Sequence, residues 1–501
     1  MIKKLNNYLH TPNWLFVLLV VVLALRIPSF FEPYSYGDEM IYLSLGEAVR
    51  QGETLYKTIH DNKPPLLYLA AALAGNLLWF KAILAMWHGA TVYIFWKFAD
   101  FLFGKNSKLV KIATIIFALL TTLPLLEGNI VNSELFMVGP TMLAFYILLS
   151  QKDTTKNLLA AGMLFSVATL FKMPAIFDIP AIVVFWLFTT KLTFKNVKKI
   201  AVKSLIIASG VALPVGATIA WYGLRDAFQE YVVAAFLQNV GYLSSFRPDD
   251  VVEPFLVRNG PLLIRGLVVL VGIVILYFQR KKLSKNFLFI TAWLLLTLFA
   301  VTLSERPYPH YLIQSTAPLA LLLGMFFAKR NVEQALVVIP LALFFFVPVY
   351  YKFWLYPTSS YYARFAKLTT GQISLDEYRA TFGGNIVRNY AIADYLQSVS
   401  ARDDKVFIWG DGSQLYALSR RLPPIRYVAD YHIKDFSSKE EVLATLSQNP
   451  PLYIIVLPNS VEFNELNMLL NKSYLEVENI DSAGIWRYID QTTREEMLDL
   501  N

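Results

Sequence analysis

An apolar run, WLFVLLVVVLAL (14–25), is followed at once by SYGDEMIYLSLGEAVRQGETLYKTIHDNKPP (35–65). The first stretch predicts a membrane helix. The second places two adjacent acids, Asp38 and Glu39, where that helix ends, and closes on Lys63 before two prolines. Charged side chains beside a low-dielectric region are costly, and for that reason they are candidates for function. Other parts of the chain repeat both features, namely long apolar runs and charged residues near the ends of those runs.

The composition predicts an integral membrane protein. Of 501 residues, 56% are hydrophobic and 16% are charged, whereas roughly 25% is usual for charged residues in soluble chains. The net charge of +8 does not indicate nucleic-acid binding, because the positions of the cations explain it better. With no cysteine, disulfides, thiolate metal sites and thiol nucleophiles are excluded.

Apolar runs predict about eleven membrane spans. A span needs about 20 apolar residues. The predicted ranges are 13–31, 80–101, 111–126, 134–150, 157–171, 174–190, 200–222, 261–279, 286–304, 310–328 and 334–354.

Loop cations predict the orientation of these spans, because Lys and Arg concentrate in cytoplasmic loops. The cation-poor connections are 32–63, 127–133, 223–260 and 305–309. The cation-rich connections contain Lys3 and Lys4, Lys97 to Lys111, Lys152 and Lys156, Lys191 to Lys203, Arg280 to Lys285, and Lys329 with Arg330. We therefore expect a multi-pass protein of the cytoplasmic membrane with a cytoplasmic N-terminus and an outer C-terminal region.

The chain divides by composition near residue 356. Residues 1–356 read as a transmembrane domain with outer loops, and residues 357–501 read as a small α/β domain outside the membrane. In the latter, β-type runs at 405–409, 452–457 and 484–489 alternate with helical patterns, which favours a layered α/β unit. The predicted fold is thus a polytopic helical membrane protein with a C-terminal α/β domain.

Charged residues gather in the predicted outer connections. Residues 39–51 have the spacing of a short amphipathic helix at the membrane surface. Asp38 is either its N-cap or a general base, and a neighbouring like charge such as Glu39 would raise the pKa of one of the two acids. Lys63 is either a lysine whose amine reaches the lipid headgroups or a cation for a phosphate. Further outer candidates are Glu127, Asn132, Glu134, Lys172, Arg306, His310 and Tyr311.

These residues, in this order, resemble the lipid-dependent glycosyltransferases of the GT-C class, in particular aminoarabinose transferases and protein O-mannosyltransferases. The resemblance rests on Asp38-Glu39, LYKTIHDNKPPLLY (55–68), NSELF (132–136), LFKMPA (170–175), PHYLIQSTAPLALLL (309–323) and the tail VFIWGDGSQLYALSRRLPPIRYV (406–428).

The resemblance implies an inverting transfer of a sugar from a polyprenyl-phosphate donor to a hydroxyl of a lipid, glycan or protein acceptor. It implies catalytic roles for Asp38 as base, for Glu39 and for Glu134. Lys63, Lys172 and Arg306 would bind the donor phosphate, and Tyr56, Asp61, His310 and Tyr311 would contact donor or acceptor. Glu134 stands where some relatives carry Asp, so the need for a divalent metal ion stays open. A secondary transporter and a non-catalytic subunit of a cell-envelope glycan system are the alternatives.

Overall fold

The computed structural model describes residues 11–104, 106–241, 254–328 and 332–489. Lys3, Lys4, Lys329 and Arg330, on which part of the predicted orientation rests, lie outside these ranges, as do parts of the 223–260 connection and of the predicted C-terminal domain. Within the described residues, apolar helices occupy most of the chain before residue 351.

Each predicted span coincides with an apolar helix. Seven helices are long and apolar enough to cross a membrane, namely Asn13–Phe31, Leu77–Phe103, Ser133–Ser150, Phe194–Gly223, Phe255–Gln279, Pro309–Ala328 and Val332–Tyr350, counted within the described residues. Shorter apolar helices are Ser107–Leu120, Thr155–Phe171, Met173–Thr189, Phe228–Leu237 and Lys285–Val301. The protein is therefore a multi-pass membrane protein, as predicted.

Two short helices carry the residues between the first two spans. The predicted amphipathic helix forms over Gly37–Arg50, and the prolines after Lys63 lead into the helix Leu66–Ala74. These helices pack closely, since a methyl group added at Gly46 would lie 2.6 Å from the backbone nitrogen of Ala72. The first helix is buried from Glu39 to Ala48. Other parts of the protein therefore cover it more completely than its amphipathic sequence pattern predicts.

The C-terminal region has a four-stranded sheet among short helices. The strands are Val406–Trp409, Tyr453–Val456, Tyr474–Ile480 and Ala483–Tyr488, and the sheet order is first, second, fourth, third. The first two strands pair in parallel, and the other two pairings are antiparallel. The helices are Thr358–Thr369, Leu375–Ala380, Ile386–Val399, Ser413–Ser419, Asp430–Phe436, Lys439–Gln448 and Asn464–Ser473.

This region packs on the helical part through the helix Ser413–Ser419, which contacts the helix Gly37–Arg50. Arg402 forms an ion pair with Glu47 of that helix, and Lys405 forms another with Glu53 at 3.1 Å. The C-terminal region is therefore held directly against the segment that contains Asp38 and Lys63.

Candidate functional site

A cavity of about 840 Å³ lies where the short helices, the ends of several long helices and the C-terminal region meet. One part of its wall is apolar and includes Phe177, Leu262 and Phe299. The lining also carries ionisable side chains, namely Asp38, Asp61, Lys63, Glu134, Lys172, Arg306, His310, His432, Lys434 and Asp435. A pocket with both apolar and charged lining fits an amphiphilic ligand.

Asp38 lies in the first turn of the helix Gly37–Arg50 with its side chain one-third exposed. The N-cap position belongs to Tyr36, and that side chain makes no capping hydrogen bond. The alternative that Asp38 caps this helix is therefore wrong. Its Oδ2 instead accepts a hydrogen bond of 2.9 Å from the hydroxyl of Tyr42, one turn along the helix, and its carboxylate lines the cavity.

Lys63 stands between two carboxylates. Its Nζ is 3.9 Å from Oδ2 of Asp38 and 3.7 Å from Oδ2 of Asp61, beyond the usual length of a hydrogen bond. The Tyr56 hydroxyl donates to the Lys63 carbonyl oxygen at 2.9 Å, and the Lys63 backbone N–H donates to the Tyr68 hydroxyl at 3.2 Å. The main chain is thus fixed on both sides of a lysine whose amine faces the cavity.

Tyr56 itself does not line the cavity, although it was predicted to contact substrate. It is fully buried and packs against the rings of Tyr222 and Tyr231, with centroids 5.2 and 5.1 Å away. Its contact with the site is the hydrogen bond to the Lys63 backbone.

Asp61 is buried but charged. Burial acts to raise its pKa, yet the Lys63 ammonium, His432 and hydrogen bonds from Tyr68 and from the backbone of Asn62 outweigh burial and hold the pKa below its ordinary value. The two hydrogen bonds are each 2.7 Å long. Asp61 is therefore a buried carboxylate anion that lines the cavity beside Lys63.

A second charged group surrounds Glu134, which is 2% exposed. The Lys172 ammonium forms an ion pair with Glu134 Oε1 and lies 3.9 Å from the centre of the Tyr311 ring. His310 bridges two acids: its Nε2 is 3.8 Å from Glu134, and its Nδ1 contacts Glu127 closely. The predicted residues Glu134, Lys172, His310 and Tyr311 are thus together.

Arg306 is exposed and lines the same cavity in the connection before the helix Pro309–Ala328. The predicted outer connections therefore converge at one end of the molecule. The side of the membrane that this end faces stays a prediction.

Glu39 is turned away from the cavity. Its carboxylate is 1% exposed, 2.6 Å from Lys81 Nζ, and accepts a hydrogen bond of 2.6 Å from the Val131 N–H. Burial chiefly raises the pKa of Glu39 to about 7, against the effect of Lys81 and with the help of Glu32. The like charge that acts on Glu39 is Glu32, on the other side of Lys81, rather than the adjacent Asp38.

The cavity also holds residues that the sequence did not single out. Tyr36 and Tyr42 come from the first short segment, and Tyr431, His432 and Asp435 come from the C-terminal region. The tyrosines stand next to predicted acids and could have been found by that proximity. The C-terminal residues had no such signal, because only the folded chain brings them to the site.

A metal-binding cluster of three or more His, Cys, Asp or Glu side chains is not found within residues 11–104, 106–241, 254–328 and 332–489.

Solved structures share this fold. ArnT from Cupriavidus metallidurans bound to undecaprenyl phosphate aligns with a TM-score of 0.57 and 13% identity, over 95% of this chain and 98% of that chain. The apo state of the same protein aligns with a TM-score of 0.55 and 14% identity over the same shares. The chain has an ArnT-like GT-C fold, and the resemblance predicted from sequence is confirmed at this level.

Two family models match parts of the chain. Residues 63–218 match the dolichyl-phosphate-mannose-protein mannosyltransferase model, and residues 388–488 match the model of the competence-induced protein Ccs4 C-terminal domain. A comparison with curated proteins gives no match. The first model begins at Lys63 and includes Glu134 and Lys172.

Proposed function

We propose that the protein is an inverting membrane glycosyltransferase that moves a sugar from a polyprenyl phosphate to a hydroxyl acceptor. One observation carries the proposal: a carboxylate, Asp38, and an ammonium, Lys63, lie 3.9 Å apart in a cavity that also has an apolar wall. A base and a cation are what this reaction needs. The apolar wall suits the first part of a polyprenyl chain.

In the proposed step, the acceptor oxygen attacks the anomeric carbon while the bond from that carbon to the phosphate oxygen breaks. The electron pair leaves with the lipid phosphate, and the acceptor proton passes to Asp38. Attack from the face opposite the phosphate inverts the configuration. Because the leaving group is already an anion, fixed cations stabilise it without a proton donor.

Lys63 is the first candidate for the phosphate. Its amine lies in the cavity 3.9 Å from Asp38 and 3.7 Å from Asp61, where a bound phosphate would meet a fixed cation. We assign Lys172 and Arg306 to the same phosphate in supporting roles.

The acids have different roles in this proposal. Glu134 holds Lys172 and His310 in place, and Glu39 acts only in the buried network with Lys81. The ArnT neighbour binds undecaprenyl phosphate in its solved complex, and one family model is described by a dolichyl-phosphate-linked sugar. Both descriptions support a lipid-phosphate donor for this chain.

We place the reaction at the outer face of the cytoplasmic membrane, with the N-terminus inside. Residues 1–356 form the catalytic membrane domain and residues 357–501 the outer domain in this proposal. The cation distribution supports this orientation. The contacts of the C-terminal region with the helix Gly37–Arg50 support a position for that region on the same side as the cavity.

A donor-consumption assay tests the proposal. The purified full chain in nanodiscs is incubated with the lipid-linked sugars extracted from its own cells and with envelope glycans as acceptors. We expect mass spectrometry to show one polyprenyl-phosphate sugar consumed and free polyprenyl phosphate formed. An extract that stays unchanged with all envelope fractions would refute the proposal. Comparison of surface glycans with and without the protein would then identify the sugar and the acceptor.

A further inference from the structure

The helix Asp430–Phe436 of the C-terminal region forms one wall of the cavity. Five of its seven residues line the cavity, namely Tyr431, His432, Lys434, Asp435 and Phe436. These side chains include the His432 imidazole and two charged groups, those of Lys434 and Asp435, which join the other ionisable residues of the cavity. The site is therefore incomplete without the C-terminal region.

The same region fixes the loop that contains Asp61 and Lys63. The His60 N–H donates to the Arg426 carbonyl oxygen at 2.7 Å, and the Arg426 guanidinium donates to the Tyr56 carbonyl oxygen. The His60 ring packs on Phe436 with ring centroids 5.0 Å apart. Backbone contacts on both sides of the loop thus keep its register with the C-terminal region.

His432 lies next to Asp61 in the cavity. It is 3% exposed, and its Nε2 is 3.5 Å from Oδ1 of Asp61, while the other oxygen of Asp61 faces Lys63 at 3.7 Å. Its Nδ1 is buried and has no hydrogen-bond partner among the residues that the structure describes.

Burial lowers the pKa of His432 against the opposing effect of Asp61. A carboxylate next to Nε2 favours an N–H at that nitrogen, so the ring presents a donor to Asp61.

We propose that His432 is a positioning residue for the donor phosphate: it orients Asp61, and Asp61 in turn holds Lys63 where the phosphate is bound. The inference rests on the role of Lys63 in the proposed function. It gives the C-terminal region a part in donor binding, through the sequence of contacts from His432 to Asp61 to Lys63. It assigns His432 no contact with the reacting atoms.

Binding of undecaprenyl phosphate to the purified full chain in nanodiscs tests this role. His432→Phe keeps an aromatic ring and removes the imidazole nitrogen that lies 3.5 Å from Asp61. We expect its Kd to rise about tenfold, the scale of a polar neighbour lost beside a buried carboxylate. His432→Gln restores an N–H near the position of Nε2 and should return the Kd to within about threefold of the wild type.

Two further variants separate positioning from packing. In a Lys63→Ala background, His432→Phe should cause no additional loss, because residues that act through one another are non-additive. The control Arg402→Gln removes the ion pair with Glu47 at the same interface, away from the cavity, and its Kd should equal that of the wild type. His432→Leu replaces His432→Phe where thermal unfolding shows that the latter does not fold.

The outcomes are distinct. Wild-type affinity in His432→Phe, or equal losses with and without Lys63, would overturn the positioning role and leave the proposed function standing. Equal weakening in His432→Phe and Arg402→Gln would also overturn it, in favour of a general effect of contacts at this interface. If the wild-type protein itself fails to bind undecaprenyl phosphate, the proposed donor class fails and this inference fails with it.

Discussion

Replacement of Lys63 by alanine should weaken the use of the lipid donor and leave the acceptor requirement unchanged. The amine is 21% exposed and 3.7–3.9 Å from two carboxylates, so a phosphate in the cavity competes with two anions for one cation. A hydrogen bond to a charged group contributes roughly 1.5–3 kcal/mol. That range corresponds to about a tenfold to hundredfold rise in the donor concentration needed for half-maximal rate.

The substitution also has a cost for folding that must be separated from the effect on binding. Removal of the ammonium leaves Asp61 buried with one fewer charged partner, which destabilises the protein by roughly 1–3 kcal/mol. The double variant Lys63→Ala with Asp61→Asn removes both charges. We expect it to recover thermal stability without recovering donor affinity. Lys63→Arg should be intermediate, because the charge is kept and the shape is not.

The assay is the initial rate of polyprenyl phosphate release in nanodiscs as a function of donor concentration. Lys57→Ala is the matched control, since Lys57 belongs to the same loop, pairs with Asp226 at 2.6 Å and does not line the cavity. Donor dependence in Lys63→Ala equal to that of the Lys57 control would refute the role of Lys63. Lys172 and Arg306 would then be the remaining candidates.

Three further predictions concern orientation, the buried acid and helix packing. Because the chain has no cysteine, a single cysteine at Ser447 should be labelled from outside intact cells and one at Lys282 should not; the reverse pattern would refute the orientation. In the folded protein the pKa of Glu39 is about 7, above its ordinary value of 4.5. Between pH 4.5 and 7 the folded state therefore binds this proton more than the unfolded state does, and the free energy of unfolding should fall as the pH rises through that range. Glu39→Gln should flatten that part of the melting-temperature profile. Gly46→Ala should lower the free energy of unfolding by roughly 1–3 kcal/mol, because its methyl group would meet the Ala72 backbone at 2.6 Å; an unchanged denaturation midpoint would contradict this.

The sequence predicts the helices well because membrane spans have a strong local signal. It also predicts three of the four strands, which are short apolar runs. The strand Tyr474–Ile480 was missed because its sequence, YLEVENI, is mostly exposed and has no continuous apolar run. Such a strand is defined by its partner, Ala483–Tyr488, and pairing is not visible in a local pattern.

The charged residues of the site are predictable only in part. Charges at the ends of spans predict that Asp38, Lys63 and Glu134 lie on the same side of the membrane. The sequence could not separate Asp38 from Glu39, because residues next to each other on a helix face directions about 100° apart and only the packing decides which one faces the cavity. Lys81, the partner of Glu39, lies within a predicted span.

The most direct measurement of the central claim is the turnover of Asp38→Asn beside that of Glu39→Gln. The two acids are adjacent in sequence, but only Asp38 lines the cavity. Loss of a general base lowers the rate by at least about a hundredfold, so Asp38→Asn should lose turnover on that scale while still binding undecaprenyl phosphate, and Glu39→Gln should keep turnover close to wild type. Equal activity of the two variants, or greater loss in Glu39→Gln at equal folded fraction, would contradict the assignment of Asp38 as the base.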